Sequence, residues 1–219
     1  MVDNKRIERF LNEHKNQWNK WNIPFEDGQI LYDLALKYGA KNILEIGTSY
    51  GHSTIWLAWA VAQLAEGSES LTGVGVAPKG LEGSESLTDV GVAPKGLEGS
   101  VLTIEIDHRV MEAARKNFKM AGVLPYILQC QTDAKRFIPH LKGPFDMVFS
   151  DGDRSCYIDV FQMVEPLLSP KGIVVTHNVN DHGGSKIADY LKFLEEHPRF
   201  KTYFIHSSSE GLAVSEKIA

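Results

Sequence analysis

The run Ile43-Leu44-Glu45-Ile46-Gly47-Thr48-Ser49-Tyr50-Gly51-His52-Ser53 constrains this chain more than any other stretch. An apolar segment of strand type carries an acid and ends in a Gly-x-x-x-Gly turn. A helical pattern follows from Ser53 to Leu64. Such a turn lets backbone approach a ligand closely, and the free N–H groups of a helix start favour an anionic group. About fifty residues on, Thr103-Ile104-Glu105-Ile106-Asp107 offers a second apolar strand ending in an acid. An acid there can accept hydrogen bonds from both hydroxyls of a ribose. Together the two segments predict a nucleoside-cofactor site at the carboxyl edge of a parallel sheet.

A dinucleotide fold calls for Gly-x-Gly-x-x-Gly, with glycines spaced for a pyrophosphate. Here Thr48 and Ser49 fill the places between Gly47 and Gly51, and there is no Walker lysine. With Glu105 at the next strand end, the pattern favours S-adenosylmethionine over NAD.

The rest of the chain alternates in the same way. Helices are expected over 3–20, after Pro24, over 53–64, from Asp107 to Gly122, over 155–168 and over 184–197. Strands are expected at Asn42–Gly47, Val101–Asp107, Tyr126–Gln131, Asp146–Ser150, Gly172–Thr176, Thr202–His206 and Leu212–Ser215. This alternation predicts an α/β fold: a Rossmann-like three-layer sandwich with a mainly parallel seven-stranded sheet and an antiparallel edge hairpin. The 219 residues suit a single domain.

Within it, residues 66–97 are two copies of a sixteen-residue unit that differ only at Gly73 and Asp89, and a third copy begins at Glu98-Gly99-Ser100. The segment is Gly-rich and poor in large apolar residues, so it cannot build a core of its own. The 66–99 segment is expected to be a loop insertion at the amino edge of the sheet, away from ligands at the carboxyl edge. A partner-binding role for it is the competing expectation.

A net charge of −5 gives no electrostatic reason to expect nucleic acid or an anionic membrane. No apolar run approaches the roughly 20 residues of a membrane span, and the N-terminus has no apolar signal region. Cys130 and Cys156 are the two cysteines, which fits a reducing, cytoplasmic setting.

Five motifs in order, Glu45-x-Gly-x-x-x-Gly, Thr103-x-Glu105-x-Asp107, Asp133-Ala134, Asp151-x-Asp153-Arg154-x-x-Tyr157 and His177-Asn178, resemble the metal-dependent class I O-methyltransferases, the catechol and caffeoyl-CoA group. Asp27-Gly28-Gln29-Ile30 and Gly211-Leu212 belong to the same likeness, which runs from about Trp21 to the end, the repeat excepted. The resemblance implies methyl transfer from S-adenosylmethionine to a hydroxyl of a small molecule. It implies that Gly47 and Gly51 approach the methionine part and that Ser53 holds its carboxylate. Glu105 would bind the ribose hydroxyls, Asp133 and Ala134 would lie at the adenine, and Glu45 and Thr48 would complete the cofactor set.

It further implies a divalent cation (Mn, Mg, Co, Fe or Zn) on Asp151, His177 and Asn178. His177 stands where the family has a second aspartate, and imidazole shifts preference from Mg toward softer ions. Arg154 stands where the relatives carry a lysine base; arginine stays protonated, so Arg154 can neutralise charge but not take a proton. Arg154, Asp151 and His177 are the candidate catalytic residues, with Asp153 and His182 as further proton acceptors. Two rival readings remain open: a metal-independent methyltransferase with His177 as base, and a non-catalytic cofactor-binding or interaction protein. A homodimer is likewise left open.

Overall fold

The computed structural model describes residues 2–15, 22–67, 99–180, 185–206 and 208–218. Seven strands, β1 (Asn42–Ile46), β2 (Ser100–Glu105), β3 (Ile127–Gln131), β4 (Phe145–Ser150), β5 (Leu168–His177), β6 (Phe200–Ile205) and β7 (Leu212–Lys217), form one sheet in the order β3-β2-β1-β4-β5-β7-β6. The first five run parallel, and β7 lies antiparallel between β5 and β6. The expected edge hairpin is therefore present, with β7 inserted beside β5 and β6 outermost.

The strands read as apolar runs because both faces of the sheet are covered. Successive side chains alternate between faces. Ile43, Val101, Met147 and Val175 pack in one core with helices α1 (Asn4–Glu13), α2 (Phe25–Lys37), α3 (His52–Gly67) and α4 (His108–Ala121). Leu44, Leu102, Val148 and Val174 pack in a second core, on the opposite face, with α6 (Tyr157–Val164) and α7 (Ser185–Glu195). This is the expected three-layer sandwich.

A short α5 (Ala134–Phe137) was not anticipated; Asp133 caps it by accepting from the Lys135 N–H at 2.9 Å. The expected helix over 155–168 is instead a 3₁₀ turn (Arg154–Cys156), α6, and a second 3₁₀ turn (Glu165–Leu167) carrying Pro166. Proline has no N–H to continue the helix. The helix expected over 3–20 is described only as far as its early end at Glu13, and the repeat falls almost wholly outside the described residues.

β1 pairs with β2 on one side and β4 on the other, so the strand order reverses between them. Ligands of open α/β sheets bind at such a switch point, beyond the carboxyl ends of the strands.

Candidate active site

The chain turns just past β1, β3 and β4 are stitched to the neighbouring strands by backbone bonds. The Gly47 N–H donates to Ile104 O at 3.0 Å, Asp151 N–H to Ile46 O at 2.9 Å, and Thr132 N–H to Glu105 O at 3.0 Å. Above this seam lies a cavity of about 620 Å³, walled among others by Gly47, Ser49, Glu105, Asp133, Ala134, Asp151 and Tyr157. Gly47 has φ +95°, and a Cβ there would come within 2.6 Å of the Asp151 carbonyl oxygen. The meeting of the β1 and β4 ends thus needs glycine whether or not a ligand is bound.

Four of the expected cofactor residues, Gly47, Glu105, Asp133 and Ala134, line this cavity. The other four sit beneath it. Gly51 packs its backbone on Phe118, where a Cβ would be 2.2 Å from the ring. Thr48 and Ser53 are buried. The Thr48 hydroxyl pairs with that of Thr103 at 2.5 Å, and Thr103 and Thr54 donate to Glu45 Oε2 at 2.6 and 2.5 Å. Glu45 is fully buried, and its Oε1 has no hydrogen-bond partner among the described residues. Burial pushes its carboxyl up to about 7, with the hydroxyls offsetting part of the rise.

Glu105 is already occupied in part. Its Oε1 accepts from the N–H groups of Ile106 and Asp107 at 2.8 and 3.0 Å, and its Oε2 from Ser49 N–H at 2.9 Å. A carboxylate has about four lone-pair positions. One remains for a ligand hydroxyl; binding both ribose hydroxyls requires releasing a backbone bond. Asp107 caps α4, as expected, by accepting from Arg109 N–H at 2.9 Å. Asp153, considered as a proton acceptor, caps the turn before α6 by accepting from Ser155 N–H at 2.8 Å, which holds its carboxyl below the usual range. Arg154 lies half-buried in that turn and outside the cavity wall. His182 lies outside the described residues.

His177 ends β5 beside the end of β4 and is buried. Its Nδ1 is 3.1 Å from Asp151 Oδ1 and its Nε2 is 2.9 Å from Asp27 Oδ2. Burial pulls its pKa down, but the bonds to and charges of Asp151 and Asp27 outweigh it and raise it to about 9. Asp27 also accepts from the Ser208 hydroxyl at 2.7 Å. Asn178 adopts φ +58° and donates its amide N–H to Glu210 Oε2 at 2.9 Å.

These contacts do not fit the expected roles of His177. A metal ligand needs a neutral ring with a free nitrogen lone pair, and so does a general base. Both nitrogens here are committed to carboxylates. Nor is any group of three or more His, Cys, Asp or Glu side chains arranged to hold a metal ion among the described residues. With both nitrogens held in this way, His177 offers no free lone pair to a metal or to a substrate proton.

Asp27 belongs to the Asp27-Gly28-Gln29-Ile30 motif and had no expected role of its own. It shares the buried face of α2 with Gly28, Leu31, Leu34 and Ala35. An acid on an apolar stripe was the available signal, since an unpaired buried charge is costly.

A family profile described as a methyltransferase domain matches residues 44–179, which run from within β1 to just past β5 and include the cavity between them. The chain belongs to this methyltransferase-domain family. Among its relatives, a catechol O-methyltransferase of Niastella koreensis is 31% identical over 156 residues, covering 69% of this chain and 55% of its own length. A catechol O-methyltransferase of Mycobacterium tuberculosis is 29% identical over 187 residues, covering 80% and 70%. The chain thus spans little more than half of the first relative. In fold, this methyltransferase domain is similar to the O-methyltransferase TomG of Streptomyces achromogenes, solved with S-adenosylmethionine, at a TM-score of 0.71 and 22% identity over 99% of this chain and 91% of that one.

Proposed function

We propose that the chain is an S-adenosylmethionine-dependent O-methyltransferase acting on a hydroxyl of a small molecule. The observation that carries this reading is one cavity bearing Gly47, Glu105 and Asp133 at the ends of three adjacent parallel strands. The names of the relatives support it. The donor set suits the cofactor: Glu105 keeps an acceptor position for a ribose hydroxyl, and Asp133 with Ala134 walls the cavity for an adenine.

When bound, the cofactor supplies a methyl group already electrophilic on a sulfonium. The remaining task for the protein is to aim an oxygen and draw off its proton. Asp151 lines the cavity with one oxygen held by His177. In this reading its carboxylate orients the acceptor hydroxyl and takes its proton. Arg154, always protonated, remains nearby to balance charge. No step runs through a divalent ion, because His177 offers none a lone pair. The reading includes a cytoplasmic location, supported by two free cysteines; among the described residues no helix is long and apolar enough to cross a membrane.

Calorimetry with S-adenosylhomocysteine and with NAD tests the cofactor, and radiolabelled methyl transfer to a panel of phenols, catechols and aliphatic alcohols tests the reaction. Homocysteine-product binding with transfer to at least one acceptor is expected. NAD binding instead rejects the cofactor, and cofactor binding without any transfer favours the non-catalytic rival.

A further inference from the structure

Asp27, His177 and Asp151 come from the start of α2 and the ends of β5 and β4. Their side chains are 0%, 3% and 13% exposed. An ionised carboxylate accepts hydrogen bonds and donates none. With one on each side, at 2.9 and 3.1 Å, both ring nitrogens of His177 are donors, and a ring with two N–H groups is a cation. The surrounding groups close the arrangement. The Ser208 hydroxyl shares Asp27 Oδ2, the Tyr157 hydroxyl donates to the His177 carbonyl at 2.9 Å, and Asn178 is turned to Glu210. Of the residues that the family resemblance marks for a divalent ion, His177 and Asp151 are thus bonded to each other and Asn178 to Glu210.

We propose that His177, clamped between Asp27 and Asp151, is a built-in cation that fills the place of a divalent ion beside the cavity, so that this chain works without a metal. His177 is a positioning residue: only Asp151 of the three lines the cavity, and His177 fixes that carboxylate from behind. Among these three side chains, two carboxylates and one imidazolium sum to a single negative charge. That charge favours a cationic cofactor. The inference rests on the O-methyltransferase reading for the reaction served, but its test does not.

The test uses the full chain with and without bound S-adenosylhomocysteine. Calorimetry with Mn2+ and Mg2+ up to millimolar concentration should give no saturable binding. Nitrogen-15 NMR of the labelled protein at neutral pH should show two ring N–H signals for His177, unmoved by Zn2+. Methyl transfer should change less than two-fold in chelator. His177→Asp removes the cation and adds a third carboxylate, so it should acquire Mn2+ binding while still binding S-adenosylhomocysteine. Stoichiometric Mn2+ or Mg2+ uptake by the unaltered chain, or loss of a His177 ring N–H signal on adding Zn2+, overturns the proposal. Both of these readouts come from the native protein, so they stand even where the variant fails to fold. Failure to find an acceptor would count against the reaction and leave these readouts unchanged.

Discussion

The Nε2 of His177 lies 2.9 Å from Oδ2 of Asp27, a residue 150 positions earlier in the chain. The bond ties the first turn of α2 to the end of β5 and is buried on both sides. Removing Asp27 leaves the ring paired with Asp151 alone and strands a buried N–H donor, which typically costs about 1–3 kcal/mol. Asp27→Ala should therefore lower unfolding free energy by about 1–3 kcal/mol near neutral pH, measured in urea. The folded pKa of His177, about 9, lies above the ordinary value near 6.5, so the ring binds its proton more tightly when folded. Its contribution is full below about 6.5 and is lost as pH rises through about 9. The penalty of Asp27→Ala should shrink over that window. A penalty independent of pH up to 10 would show that the ring is not the titrating partner.

Glu45 makes the opposite prediction. Its carboxyl is pushed by burial up to about 7, above the ordinary 4.5, so the fold disfavours its ionised form. Stability should fall as pH rises from about 4.5 through 7 and then level off. Each pH unit between those two values is worth ~1.4 kcal/mol, so the decline is on the order of 3 kcal/mol. Glu45→Gln, which cannot ionise, should abolish this slope between pH 4.5 and 7. A Glu45→Gln profile parallel to that of the native protein would assign the slope to other groups.

For Glu105 the quantity to measure is cofactor affinity. Loss of a hydrogen bond to a charged group costs about 1.5–3 kcal/mol, and Glu105→Ala should weaken S-adenosylhomocysteine binding by that much. The same carboxylate also holds the Ser49, Ile106 and Asp107 N–H groups. Glu105→Gln keeps the side chain's size but replaces one accepting oxygen with a donor, so it should also weaken binding and should loosen this turn. Unchanged calorimetric affinity in Glu105→Ala would remove Glu105 from the site.

The fold was legible because its signals are local. Alternating apolar strands and capped helices announced the sandwich, and Asp107 and Gly122 marked the two ends of α4, the glycine with φ +85°. Glycines were harder to read. Gly47 and Gly51 look alike in sequence, yet one meets the Asp151 backbone at the cavity and the other seats against Phe118 beneath it. Only packing separates them. The His177 clamp was illegible for a different reason. Its partners, Asp27 and Asp151, lie far away in sequence, and a lone histidine at a strand end reads equally well as ligand, base or cation. The protonation state depends on what occupies both sides of the ring, which is tertiary information.

The repeat offers a test of topology. Ser100 opens β2 opposite Asn42 at the start of β1, and its N–H donates to Lys41 O at 2.9 Å. The segment therefore rejoins the described fold at the amino edge of the sheet. β1 is five residues long, so at roughly 3.3 Å per residue this junction is about 16 Å from the cavity edge. Replacing residues 68–98 with a short glycine linker keeps Glu66, whose side chain accepts from Val2 N–H, and keeps Gly99, which packs against the Lys41 carbonyl. Affinity for S-adenosylhomocysteine should stay within about 0.5 kcal/mol of the full chain, as for changes remote from a binding site. Methyl-transfer rates should follow. A shortened chain that folds, by circular dichroism and cooperative melting, but no longer binds the cofactor would mean that the repeat reaches the carboxyl edge and takes part in the site.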